Sequence, residues 1–156
     1  MKTRILGRTG LEVSIVGLGA GRIGLPDPDR SGASYTGNPE EIDIDLGAKT
    51  VHTAVEAGCT LIDTAPLYGF GVSEQIIGKA VAGHRDEVIL ATKCGLIWHE
   101  QKGDFFFNAD DRTITRSDHD RSVFKYLEPD SIRRELEKSL KHLGTDYIDL
   151  YYNTQE

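Results

Sequence analysis

The sequence is poor in several features that would mark it as secreted, membrane-bound or metal-stapled. Cys59 and Cys94 are its only cysteines in 156 residues, and neither belongs to a Cys-x-x-Cys pair. A disulfide framework or a zinc site therefore has little to build on, and both residues read as reduced thiols. No run approaches the ~20 apolar residues that a membrane-spanning helix needs. Met1 to Gly10 carries polar residues and glycines where a secretion signal requires an apolar segment, so a cytoplasmic location is expected. There is no Lys/Arg-rich run, and the formal charge of -7 argues against nucleic acid or anionic membrane as a partner. His52, His84, His99 and His142 are scattered, without the spacing of a helical metal site.

What the chain does have suits a globular protein acting on a small metabolite. Hydrophobic residues make up 38% and charged residues 28%, enough apolar matter for a core. The length is that of one domain, taken as residues 1–156. Thr3 to Leu6 and Glu12 to Val16, separated by Gly7, Arg8, Thr9 and Gly10, predict a hairpin. Val13 to Leu18 then runs into Gly17, Gly19, Gly21 and Gly24, with Pro26 and Pro28 beyond, as a strand ending in a loop.

From there strands and helices alternate. Asn38, Pro39 and Glu41 give a helix start, Ile44, Ala48, Val51 and Val55 its apolar stripe, and Gly58 its end. Thr60 to Ala65 follows as a strand, and Ser73 is placed to cap a second helix with Ile76, Ile77, Ala80 and Val81 on one side and Gly83 after it. Val88 to Thr92 is a third strand. Leu96 to Glu128 has no clean period and reads as a long irregular connection. Pro129 then opens a helix striped by Ile132, Leu136, Leu140 and Leu143 and closed by Gly144, and Tyr147 to Tyr152 is the last strand.

Alternation of this kind implies parallel strands joined by crossover helices. The fold class is therefore α/β, of the (β/α)8 TIM-barrel type, with about the first four β/α units present behind an N-terminal hairpin. A parallel strand needs neighbours on both sides, so the chain is expected to be cut short and to self-associate through the uncovered half-barrel.

In such a barrel, chemistry sits at the C-terminal ends of the strands. Asp63 ends one strand, Tyr68 lies in the loop after it, and Lys93 ends the next. A carboxylate and an ammonium at the ends of apolar strands are partly desolvated and tend to pair. An ammonium near a phenol favours the phenolate, drawing a tyrosine down from about 10 so that it can serve as an acid. Each residue alone also has a plain structural reading, as turn, packing or surface charge. It is their joint placement on one rim that points to chemistry.

These residues carry a family resemblance. Gly58 to Gly69, with Asp63, Thr64, Ala65, Pro66, Leu67 and Tyr68 within it and Ser73 and Glu74 downstream, closely resembles an aldo-keto reductase signature. Ala91, Thr92 and Lys93 resemble a second signature. The opening through Leu6, Gly7, Gly10, Ser14, Gly17 and Gly19 is similar to that family's first hairpin and strand, and Gly144 to Tyr151 to its run into the fourth strand. The resemblance implies an NADP(H)-dependent oxidoreductase, NAD(H) being the alternative cofactor, that interconverts aldehydes, ketones or sugars with alcohols. It implies Tyr68 as general acid, Lys93 as the residue that tunes it, and Asp63 as the partner of Lys93. Gly19, Ala20 and Gly21, together with Asp63, would line the nicotinamide end.

Two departures accompany the likeness. The family places a catalytic histidine three residues beyond the tyrosine matching Tyr151, and here that position is Thr154. The family's pyrophosphate and adenosine site lies in the second half of the barrel. The alternative expectation is accordingly a catalytically inactive fragment or a binding or regulatory relative. Gly19, Gly21 and Gly24 also fit Gly-x-Gly-x-x-Gly, but no helix pattern opens on them as a dinucleotide turn requires. Asp118, His119 and Asp120 resemble metal ligands in type only. Trp98 and Phe105 to Phe107 either line the pocket or cover exposed core.

Overall fold

A computed structural model describes residues 1–24, 42–108 and 122–154. The hairpin forms as the glycine-bounded turn predicts: β1 (Thr3–Ile5) pairs antiparallel with β2 (Glu12–Ser14), Thr3 facing Ser14. β3 (Leu18–Gly19), β4 (Leu61–Asp63), β5 (Ile89–Cys94) and β9 (Leu150–Asn153) make one parallel sheet in that order. Strand order follows chain order, as right-handed crossover units dictate.

The crossover helices are α1 (Ile44–Glu56), α2 (Val72–Ala80) and α3 (Pro129–Leu143), with α2 packed between the other two. Ile62 and Leu90 of the sheet, Val51 of α1, Ile76 and Ile77 of α2 and Leu143 of α3 are fully buried together. Alternation along the strands then assigns the two faces of the sheet. Ile62, Leu90 and Thr92 face the helices, so Asp63, Ala91 and Lys93 face away from them. That alternation puts the ionisable residues on one side.

Several boundaries differ from the sequence reading. Asp43 caps α1 by accepting from Leu46 N at 2.9 Å, a carboxylate doing at the helix start what Asn38 was expected to do; Asn38, Pro39 and Glu41 lie outside the described residues. Ser73 does not cap α2. The cap residue is Gly71 in the left-handed region, and the Ser73 hydroxyl donates instead to Ala20 O, its oxygen also lying 2.9 Å from that of Thr64. α2 ends at Ala80, short of Gly83. α3 keeps its expected ends, Pro129 in the first turn and Gly144 left-handed at the close.

Its apolar stripe, however, is not the face that sits deepest. Ser131, Glu135, Ser139 and Leu143 are buried, while Ile132, Leu136 and Leu140 are only half-buried. The small polar row is drawn inward because Glu135 accepts the backbone N–H of Gly95 at 2.9 Å, a bond that an apolar side chain cannot make.

The largest correction concerns 96–128. Within it β6 (Leu96–Ile97), β7 (Asp104–Asn108) and β8 (Ser122–Lys125) form an antiparallel sheet in the order β6, β8, β7, with an irregularity between Phe105 and Phe107. Strands this short leave no visible period, and the irregularity breaks the alternation that would have announced β7. No helix among the described residues is long and apolar enough to cross a membrane.

Candidate active site

Asp63 closes β4 and Lys93 lies in β5, two residues beyond Ala91, which pairs with Asp63. The Lys93 ammonium therefore reaches across one strand. It donates to both Asp63 carboxylate oxygens at 2.9 Å and to the Thr64 carbonyl at 2.7 Å. Lys93 is 8% exposed, and such a desolvated cation persists only with partners of this kind. Burial pulls its proton affinity down, but the hydrogen bonds with Asp63 and Tyr152 and the charges of Asp63 and Tyr68 outweigh that pull, so the net shift is upward.

Tyr68 opens a tight turn, Tyr68–Gly71, that leads into α2. Gly69, Phe70 and Gly71 all have positive φ, and Phe70 at 51° is the only non-glycine residue among the described ones to do so. Strain of this sort is held by its surroundings. Here the Phe70 ring packs edge-on against Trp98, centroids 5.3 Å apart, in a small cluster with Leu67, Leu96, Phe107 and Val123. The turn returns the Tyr68 ring to within 5.1 Å of the Lys93 nitrogen. Asp63, Tyr68 and Lys93 are thus gathered at one place.

Ala20 is locked to the same strand end. Its N–H donates to Asp63 O at 2.8 Å and its carbonyl accepts from Ser73 at 3.0 Å. A Cβ built on neighbouring Gly19 would meet no atom of the described residues within 4 Å, so among these residues the space beside Asp63 is open. Gly21 follows in the adjoining turn, half-buried.

The aromatic residues after β5 divide. Trp98 and Phe107 brace the turn carrying Tyr68, whereas Phe105 and Phe106 are 62% and 48% exposed and pack on Phe124 and Phe107. Among the described residues no group of three His, Cys, Asp or Glu side chains could hold a metal ion; Asp118, His119 and Asp120 lie outside them. Cys59 and Cys94 are buried free thiols.

Sequence reasoning missed Tyr152. It stands opposite Lys93 in the β5–β9 register, and its hydroxyl donates to Asp63 Oδ1 while Lys93 lies 5.1 Å from its ring centroid. Burial, then the bond to Asp63, raises its proton affinity, so this phenol stays protonated. Only the register between two strands far apart in the chain, which sets Tyr152 opposite Lys93, could have revealed it, since no local motif includes it. Thr154, at the place where the resembled family carries a histidine, donates its hydroxyl to the Cys94 carbonyl at 2.9 Å.

Comparison with known proteins places the chain in a family. A model of the aldo/keto reductase family matches residues 30–153. The chain is 40% identical over 152 residues to an NADH-specific methylglyoxal reductase of Escherichia coli, covering 97% of this chain and 41% of that protein. It is 41% identical over 145 residues to the aldo-keto reductase YhdN of Bacillus subtilis, covering 92% and 34% respectively. Among solved structures, an aldo-keto reductase of Bacillus halodurans in its holo form superposes with a TM-score of 0.70 at 29% identity, over 98% of this chain and 40% of that one. A glycerol dehydrogenase of Gluconobacter oxydans gives 0.64 at 32% identity, over 97% and 38%. The chain thus spans between about a third and two fifths of the length of these relatives, and its sheet and helices are part of a TIM-type barrel.

Proposed function

Because the chain belongs to the aldo/keto reductase family, we propose that residues 1–156, as one domain, supply the acid and its supporting charges for nicotinamide-dependent interconversion of carbonyls and alcohols. The substrates are aldehydes, ketones or sugars, and the cofactor is NADP(H) or NAD(H). The observation that carries this reading is the ammonium of Lys93, bonded to both oxygens of Asp63 and 5.1 Å from the ring of Tyr68.

The nicotinamide end of the cofactor fits the residues present. Gly19 offers open space among the described residues and Ala20 is fixed by backbone bonding to Asp63, so Gly19, Ala20, Gly21 and Asp63 would hold a flat ring there. The chemistry that such a cofactor would supply, when bound in reduced form, is hydride delivery to the carbonyl carbon. Tyr68 gives its hydroxyl proton to the carbonyl oxygen, which becomes the alcohol, and water later returns a proton to the phenolate. Lys93 stabilises that phenolate through its charge, and Asp63 holds Lys93 where it can do so.

A second reading, binding without turnover, draws on Thr154: its hydroxyl is committed to Cys94 O, and no imidazole stands there to orient a carbonyl. Titration of NADPH into the chain, followed by nicotinamide fluorescence and then by addition of an aldehyde, separates the two. Binding with aldehyde-dependent oxidation supports the reductase. Binding without oxidation supports the second reading, and absence of binding overturns both. In an active chain Tyr68→Phe should abolish turnover and spare cofactor affinity.

A further inference from the structure

We propose that Tyr152 is a positioning residue for the Asp63–Lys93 pair, a phenol from the adjacent strand that clamps the Asp63 carboxylate and so fixes the ammonium beside Tyr68. The inference deepens the reductase reading and rests on it for its catalytic consequence, but its structural basis is independent.

Two donors make three hydrogen bonds to the Asp63 carboxylate: Lys93 reaches both oxygens at 2.9 Å, and Tyr152 donates to Oδ1. The three residues stand on different strands, because β4, β5 and β9 are consecutive in the sheet and Lys93 lies directly across from Tyr152. Asp63 needs the additional hold. Its side chain is 38% exposed against 10% for Lys93, so water competes for the carboxylate, and Lys93 alone leaves it free to turn. A carboxylate that turns takes the ammonium with it.

Tyr152 is itself 42% exposed, so it contributes little to the core, and its hydroxyl contact is the more specific feature. The Lys93 nitrogen lies 5.1 Å from both ring centroids, Tyr68 on the turn and Tyr152 on β9, and the hydroxyl of Tyr152 is tied to the carboxylate. A phenol already donating to Asp63 is a poor proton donor to anything else. Tyr152 therefore acts only through the pair.

The test follows Lys93 directly, by nitrogen NMR of the lysine side chains across an alkaline titration of the unliganded chain. The groups bearing on Lys93 are Asp63 from β4, Tyr68 from the turn and Tyr152 from β9. Tyr152→Phe keeps the ring and removes the hydroxyl, so the Lys93 midpoint should fall. Tyr152→Gln restores a donor for Asp63, so the midpoint should return toward the native one. An unmoved midpoint in Tyr152→Phe, or one that Tyr152→Gln does not bring back, overturns the proposal. In aldehyde turnover Tyr152→Phe should lower kcat by about tenfold, the scale of a hydrogen bond to a charged group, with KM nearly unchanged. Turnover surviving in Tyr68→Phe would sink the reductase reading while leaving the Lys93 midpoint to decide the clamp.

Discussion

Glu74 of α2 and His142 of α3 meet at 3.1 Å, with Glu74 wholly buried and its second carboxylate oxygen accepting the Thr92 hydroxyl at 2.9 Å. Thr92 immediately precedes Lys93, so this contact ties two helices to the strand that carries the ammonium.

Glu74→Ala should for that reason be costly to stability. It leaves the Thr92 hydroxyl and the His142 ring without their acceptor and opens a cavity between helices. A loss of about 3 kcal/mol is expected in urea denaturation, the scale for removing one partner of a buried polar pair. Glu74→Gln retains one acceptor and the volume, and should lose about half as much. Equal losses in the two variants would mean that volume, not hydrogen bonding, is what matters at this position.

Gly78→Ala is the second stability test. In an ordinary helix interior the change gains about 1 kcal/mol. Here the new Cβ would lie 2.5 Å from the Leu143 carbonyl oxygen and 2.7 Å from its carbon. Backbone atoms at the end of α3 cannot swing aside as a flexible side chain can, so α2 and α3 must separate. The sign should reverse, to a net loss of about 1–3 kcal/mol read from the denaturation midpoint. A neutral or stabilising result would contradict the close approach of the two helices.

How far the sequence foretold this arrangement depends on the range over which each residue's role is set. Asp63 and Lys93 end apolar strands, and Pro129 and Gly144 bracket a periodic stripe, so local pattern alone located them. Tyr152 shares their face only through β5–β9 pairing, and Ser73 turned from cap to tertiary hydrogen bond because Ala20 and Thr64 arrived from other elements. The sheet within 96–128 escaped notice because β6 is two residues long and β7 changes register midway. The depth of the Glu135 row also came from a partner outside its helix, the N–H of Gly95.

That row gives a pH prediction. Burial raises the proton affinity of Glu135 above the ordinary 4.5, opposed only in part by the Gly95 N–H and the Ser131 hydroxyl. A carboxyl raised in the fold binds its proton more tightly when folded than when unfolded. Its contribution is fully present below 4.5 and is lost as pH rises through the higher folded value. Glu135→Gln retains an acceptor for Gly95 and has no charge to desolvate. Relative to native, it should gain stability between about pH 4 and pH 7 in parallel urea denaturations, because the native residue alone bears the charge. A stability difference that does not change with pH would count against burial as the cause.

The Asp63–Lys93 pair should respond asymmetrically to loss of either member. Lys93→Met leaves a carboxylate that is 38% exposed and still receives the Tyr152 hydroxyl, so water and one donor can satisfy it. Asp63→Asn leaves a cation on a side chain that is 10% exposed, with the Thr64 carbonyl, the Tyr152 hydroxyl and a neutral amide as its partners and no counter-charge beside it from Asp63. The first change should cost less than about 1 kcal/mol and the second about 2 kcal/mol near neutral pH, after allowance for the exposure of the carboxylate. The pH dependence carries the sign. In the native protein Lys93 is raised above its ordinary 10.5, so the pair's contribution is complete below that value and is lost as pH rises through the folded one. The gap between native and Asp63→Asn should therefore close in alkaline denaturation, once the native lysine gives up its proton. A gap that persists unchanged through that range would show that Asp63 supports the fold by packing and not by holding the charge of Lys93.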